Sequence, residues 1–124
     1  LKIWGKAMAN LQINKKYNFA FTILTSEDIN SAEARPHTKN FGVEVNEDDL
    51  EGIANFLGNL HDVKGILLLT ERADGTIKGS LRSADNATDV SRLARVLGGG
   101  GHAKAAGFVI NGKLKQIDGG WEIV

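Results

Sequence analysis

The stretch "KGILLLTERADGTIKGSLRS", residues 64–83, decides the fold. Its first half is a continuous apolar run of strand length, and a strand without polar alternation is one covered on both faces. Asp74-Gly75 then supplies a turn signal. The second half does alternate: Ile77, Gly79 and Leu81 fall on one face, while Lys78, Ser80 and Arg82 share the other. A central strand followed by a half-polar neighbour implies a sheet with a layer on each side, one face of which carries two cations and a hydroxyl.

Upstream, Leu50, Ile53, Ala54, Leu57 and Leu60 recur at helical spacing behind Asn46, a good N-cap, and Glu47, Asp48 and Asp49, whose charges suit the first turn of a helix. Before that, "LQI" and "YNFAFTIL" flank Asn14-Lys15-Lys16 and predict a hairpin whose second strand runs near residues 18–24. "SEDINSA" predicts one or two helical turns capped by Ser26, and "RPHTKN" a loop, since Pro36 lacks a donor and restricts Arg35. Leu1, Trp4, Met8 and Leu11 mark the end of an amphipathic helix, residues 1–12, whose beginning is expected before Leu1.

Downstream, Thr88 or Asp89 caps a helix with Val90, Leu93, Ala94 and Leu97 inward and Arg92 and Arg95 outward, and Gly98 stands where a C′ glycine ends a helix. "GFVI", an Asn111-Gly112 turn and "KLKQI" predict a second hairpin, and "DGGWEIV" a last edge strand. The expected fold is therefore α+β: a mixed, mostly antiparallel central sheet with flanking helices in one small domain. The length of 124 residues suits that size.

Composition narrows the function classes. The formal net charge is zero, so attraction to a polyanion needs a local patch. Six basic side chains face nine acidic ones in residues 1–62, and nine face six in residues 63–124, so the patch belongs to the second half. The absence of cysteine excludes disulfides and thiolate metal sites and suits a reducing compartment. No apolar run approaches the roughly 20 residues that span a bilayer. A soluble cytoplasmic protein without membrane partners is the expectation.

"VLGGGGHAKAAGF", residues 96–108, places His102 directly after four glycines. Lys104 lies between Ala103 and Ala105, so the Gly-Lys-Ser/Thr of a Walker loop is missing. Gly98, Gly100 and Ala103 satisfy G-x-G-x-x-A, but that fingerprint follows a strand and opens a helix, and this run follows a helix. Two readings stand. Successive glycine N–H groups form a nest for a phosphate, with His102 at its rim and a short helix over residues 102–106 aiming its N-terminus at the same point. Alternatively, the glycines only permit a tight turn and His102 is an ordinary capping or core histidine.

"KGSLRS" followed by "DVSRLARVLGGGGHAKAAGF" resembles the C-terminal DHH-associated domain of the DHH phosphoesterases, which include RecJ exonuclease, nanoRNase and pAp phosphatases, and cyclic-dinucleotide phosphodiesterases. The likeness is strong over residues 65–109 and weaker through "NEDDLEGIANFL" and "NFAFTILTSED". It implies that residues 13–124 bind substrate while a separate catalytic domain, expected upstream of residue 1, holds a manganese pair on aspartates and an Asp-His-His triplet. This chain has no such triplet; His61-Asp62 is the nearest approach, and Glu47-Asp48-Asp49 reads as first-turn helix acids rather than metal ligands.

The resemblance assigns Gly99, Gly100, Gly101 and His102 to the motif that contacts substrate phosphate, and Arg82 to the arginine of the S-x-R-S strand. A guanidinium grips phosphate through two parallel charge-assisted hydrogen bonds. Ser80 and Ser83 are candidate hydroxyl partners, and Lys104 and Lys78 weaker ones. No catalytic residue, metal ligand or cofactor is assigned to this chain, which alone is expected to be inactive. The implied partners are a nucleotide, short RNA or single-stranded DNA, and the catalytic domain. A homodimer, a degenerate dimerisation or regulatory domain, and a nucleic-acid-binding appendage similar to the C-terminal domain of alanyl-tRNA synthetase remain alternatives. That last subgroup carries arginine and proline where this chain has His102 and Ala103. Arg92 and Arg95 read as solvated, His37 as an exposed loop residue, and Trp4 and Trp121 as packing groups.

Overall fold

A computed structural model of the chain describes residues 2–33 and 47–124; the predicted loop around Pro36 and His37 and the Asn46 cap lie outside them. The described elements are α1 (Lys2–Ala9), β1 (Gln12–Asn14), β2 (Phe19–Leu24), α2 (Ser26–Glu33), α3 (Glu47–Leu57), β3 (Gly65–Glu71), β4 (Thr76–Ser83), α4 (Val90–Val96), β5 (Gly100–Gly101), β6 (Ala105–Asn111), β7 (Leu114–Ile117) and β8 (Gly120–Ile123). The six-stranded sheet runs β1-β2-β3-β4-β6-β5, with β2 and β3 parallel and every other neighbouring pair antiparallel. It is the mixed α/β domain expected.

The apolar run Gly65–Glu71 is the central strand β3, and its register sorts the sheet into two faces. Ile66 and Leu68 point one way, with Ala20 and Leu24 of β2, into a core closed by Ile3 and Ala7 of α1 and by Leu50, Ile53, Ala54 and Leu57 of α3. Ile23, Leu69, Ile77 and Leu81 point the other way, against Val90 and Ala94 of α4 and Ala106 and Phe108 of β6. Leu57, Ile66 and Leu81 are wholly buried, and truncating such a side chain costs roughly 2–5 kcal/mol because its cavity only partly collapses.

Several boundaries depart from the sequence reading. α2 is capped by Thr25 rather than Ser26: Thr25 Oγ1 accepts from the Asp28 N–H at 3.2 Å, and Asp28 accepts in return from the Thr25 N–H at 3.0 Å, a reciprocal pair that leaves Ser26 inside the helix. α1 buries Ile3 and Ala7, with Trp4, Met8 and Leu11 only partly covered, so its inner face is turned from the stripe the large residues suggested. In α4 the buried face is Val90, Ser91 and Ala94; Leu93 stands to one side of that face and Leu97 is the C-cap beyond the last turn, so both are exposed. Asn111-Gly112 is no hairpin turn. β7 leaves β6 there and pairs with β8 in a separate two-stranded sheet, held by Leu114 N–H on the Glu71 carboxylate at 2.7 Å.

Candidate functional site

Residues paired across a sheet share a face. Opposite Arg82, Ser80 and Lys78 on β4 stand Ile66, Leu68 and Thr70 on one side, and Ala105, Gly107 and Val109 of β6 on the other. α3 covers the β3 side of that face. It also reaches over β4, but beyond it, over β6 and β5, this face carries no helix among the described residues and is paved with small residues. The result is a cleft of about 380 Å³, within the range of small-ligand sites. Its wall is Leu50 and Glu51 of α3, its floor Ala105, Gly107 and Gly100, and its polar groups Lys78, Ser80, Arg82 and His102.

The glycine run builds one end of this cleft, and not as a nest. Leu97 is the C-cap of α4; Gly98, at φ 83°, donates to the Arg95 carbonyl at 3.1 Å, and Gly99 donates to the Ala94 carbonyl at 2.8 Å, which is the Schellman pattern. Gly100 and Gly101 then enter β5, and His102 and Ala105 exchange backbone hydrogen bonds at 2.8 and 3.1 Å. Residues 98–107 are therefore a helix stop and a tight β-hairpin, and the short helix expected over residues 102–106 is replaced by that hairpin. The N–H groups of Gly98, Gly99 and His102 are all engaged by backbone carbonyls, which is why a nest of successive free donors does not form.

The four glycines answer to different demands. A Cβ on Gly99 would meet the Gly107 carbonyl oxygen at 2.0 Å, and one on Gly101, at φ 141°, the Cα of Ala106 at 2.6 Å; these two let β5 lie against β6. A Cβ on Gly100 would meet nothing within 4 Å. Nothing in the packing requires glycine there, and the space its missing side chain leaves belongs to the cleft.

Of the residues singled out from the sequence, the fold brings Ser80, Arg82, Gly100, Gly101 and His102 together, with Lys78, one of the two weaker lysine candidates. Gly99 lies beneath, against Phe108. Ser83 and Lys104 do not line the cleft. Ser83 Oγ and Lys104 Nζ both donate to the Asp85 carbonyl oxygen at 2.6 Å, and Lys104 also reaches Asn86 Oδ1 at 3.0 Å, so they brace the loop between β4 and α4. That loop is folded on the Asp85 carboxylate, which accepts from the N–H groups of Ala87 and Thr88 at 3.0 and 2.8 Å; hydrogen bonding from Thr88 holds Asp85 below the usual carboxylate range.

The cations are met by residues the sequence did not announce. Glu47, Glu51 and Asn55 lie on one flank of α3 at a spacing of four, the flank that overlooks β4. Glu47 bonds Lys78 and, at 3.0 Å, Arg72; the Lys78 hydrogen bond is the main cause that lowers the Glu47 carboxyl below its ordinary range. Arg82 passes beneath the end of α3, where a Cβ on Gly58 would lie 3.1 Å from its own Cβ, and its side chain is only 14% exposed. Its Nε donates to Asn55 Oδ1 at 2.8 Å and its Nη1 to the Leu81 carbonyl at 2.9 Å, while Nη2 stands 3.9 Å from Glu51. By contrast, the Ser80 hydroxyl and the His102 ring make no hydrogen bond to protein among the described residues.

Chemically, two cations, an imidazole and a hydroxyl around a floor of bare main chain suit an anionic oxygen group of modest size. Among the described residues no group of three or more His, Cys, Asp or Glu is placed to hold a metal ion, and the nearest acids, on α3, face lysine and arginine. No helix among them is long and apolar enough to cross a membrane.

Comparison with known proteins gives a consistent picture. Residues 32–119 match the family described as DHHA1 domain. No curated protein matches the chain. Among solved structures, an exopolyphosphatase-related protein from Bacteroides fragilis superposes with a TM-score of 0.64 at 30% identity, over 86% of this chain and 28% of that one. A pGpG-specific phosphodiesterase from Vibrio cholerae shares the fold, with a TM-score of 0.50 at 15% identity, over 86% of this chain and 31% of that one. The chain thus spans under a third of the length of either.

Proposed function

The chain belongs to the DHHA1 domain family, and on that premise we propose that its cleft binds the phosphate of a nucleotide or short oligonucleotide for a phosphoesterase whose hydrolytic groups lie outside this sequence. The observation that carries this reading is the convergence of Arg82, Ser80 and His102 on a floor that Gly100 leaves open although no neighbour requires glycine there.

Each group has a part that its position supports. The Arg82 guanidinium, held from behind through Nε, presents its Nη edge for a bidentate grip on two phosphate oxygens. Ser80, on the same strand face, donates to a third oxygen, and the His102 ring, at the hairpin end, adds a donor across the cleft. Main chain at Gly100 and Gly107 allows the ligand to lie closer to the sheet than a Cβ would permit. The family resemblance implies a manganese pair; with no fitting donor set among the described residues, no bond-breaking step is assigned to this chain. Its role is to hold the ester and fix its orientation, which lowers a barrier by removing rotational freedom before the chemistry.

The test is a titration of the chain with adenosine 5′-monophosphate and with a dinucleotide, followed by backbone amide shifts. Perturbations centred on residues 99–102 and on β4, lost in Arg82→Ala and His102→Ala, are the expected result at affinities as weak as millimolar. Saturating ligand that leaves those amides unmoved while the chain is folded refutes the reading.

A further inference from the structure

We infer that Asn55 is a positioning residue for Arg82, a neutral acceptor that aims the guanidinium without cancelling its charge, and that Glu51 is the carboxylate an incoming anion displaces. The inference rests on the phosphate-binding reading above and adds the part played by α3.

Arginine has five N–H donors in one plane, and a phosphate can meet them along the Nη1/Nη2 end or along the Nε/Nη2 side. In this structure Asn55 Oδ1 takes Nε at 2.8 Å, and the Leu81 carbonyl takes one Nη1 hydrogen at 2.9 Å. With Nε engaged the side approach has lost one of its two donors, and the donors left are one hydrogen on Nη1 and both on Nη2, so the end that carries the two Nη atoms is the approach that remains. A side chain only 14% exposed, under the end of α3, has little room to rotate out of this arrangement.

Chemistry explains the identity of residue 55. A carboxylate in its place would make a stronger, charge-assisted bond to Nε and leave the arginine neutralised toward any anion. An amide oxygen provides geometry alone. Glu51, one turn earlier on the same flank, does bear charge, but its oxygen is 3.9 Å from Nη2, beyond hydrogen-bond distance, and its side chain is 65% exposed. It is a loose counter-ion, cheap to move, facing the donors that the end approach uses. Lys78 differs: Glu47 bonds it directly and shares that carboxylate with Arg72, so Lys78 is the less available cation of the strand.

The experiment follows the Nε–Hε resonance of Arg82 in the ligand-free chain and the affinity for adenosine 5′-monophosphate in wild type, Asn55→Ala, Asn55→Asp and Glu51→Gln. In wild type, Hε exchanges slowly with solvent; in Asn55→Ala it exchanges fast and binding weakens by about tenfold. Asn55→Asp keeps Hε protected yet binds more weakly than Asn55→Ala, with the added deficit shrinking as salt rises. Glu51→Gln tightens binding severalfold. An Hε resonance indifferent to Asn55→Ala, or binding unchanged in Asn55→Asp, overturns the inference while wild-type binding still supports the cleft. If no variant and no wild-type sample binds, the phosphate reading fails and takes this inference with it; if circular dichroism shows Asn55→Ala unfolded, Asn55→Leu, which fills the same space without an acceptor, replaces it under the same criteria.

Discussion

Two adjacent glycines should respond in opposite ways to the same substitution. In Gly99→Ala the new methyl would sit 2.0 Å from the Gly107 oxygen and 2.7 Å from Phe108 Cα. Both are backbone atoms of β6, fixed by the ladder to β4, so relief requires β5 to retreat by about 1 Å or more from contact distance. Overpacking of this kind typically costs 1–3 kcal/mol, and the absence of a flexible side chain to yield places the expected loss at or above about 3 kcal/mol. The same retreat pulls on the bond from the Gly99 N–H to Ala94 that ends α4. In Gly100→Ala the methyl meets nothing within 4 Å, and the only stability effect is the reduced freedom of the unfolded chain, a gain of roughly 0.4–1 kcal/mol.

Urea denaturation of wild type and both variants measures the two values, provided the m-value is unchanged. Binding should then invert with stability: Gly100→Ala, the more stable protein, loses affinity for adenosine 5′-monophosphate, because its methyl occupies the cleft floor. A Gly100→Ala protein destabilised by more than about 1 kcal/mol, or one that binds as well as wild type, refutes the claim that this glycine serves the ligand rather than the fold.

Further outcomes follow from the same geometry. Arg82→Lys keeps the charge but loses both the Nε bond to Asn55 and the fork, so isothermal titration should show at least about tenfold weaker phosphate binding. Leu57→Ala, at a wholly buried position that seats α3, should cost about 2–5 kcal/mol in urea and blunt ligand-induced shifts on α3. Glu47, Asp85 and Asp89 all have carboxyl pKa values lowered in the folded chain, through hydrogen bonds from Lys78, Thr88 and Ser91 respectively. Their contribution is complete above the unfolded carboxylate range and is lost as pH falls through about 4–5 and below, so stability should decline in acid and decline less steeply in Glu47→Gln. For that exposed pair the difference at neutral pH should stay within about 1 kcal/mol.

How much of this was legible depended on whether the interaction was local. The alternation in β4 announced that Lys78, Ser80 and Arg82 share a face because strand geometry fixes it at period two, whatever the surroundings. The end of α4 at Gly98 was legible for the same reason, since a left-handed C′ residue is a property of three or four consecutive positions. The hairpin over residues 100–107 was not. Four glycines allow a nest, a turn or a strand alike, and the choice is made by β6, whose register with β4 leaves an edge for β5 to pair with. Likewise, Asn111-Gly112 has the composition of a hairpin turn, but β7 finds its partner in β8.

The acidic flank of α3 shows where such reasoning stops and why. Glu47, Glu51 and Asn55 at intervals of four could be seen as a stripe, and first-turn acids need no partner to be explained. What the sequence lacks is the rotation of α3 about its own axis over the sheet, which Leu50, Ile53, Ala54 and Leu57 set by burying themselves. Once that apolar stripe faces β2 and β3, the flank at Glu47 must face β4, and the cations of β4 must meet it. A helix that buries one face thereby chooses what its neighbouring flank confronts. The pairing of Arg82 with a neutral amide, and of Lys78 with a carboxylate, thus follows from core packing, and it decides which of two cations on one strand remains open to an anion.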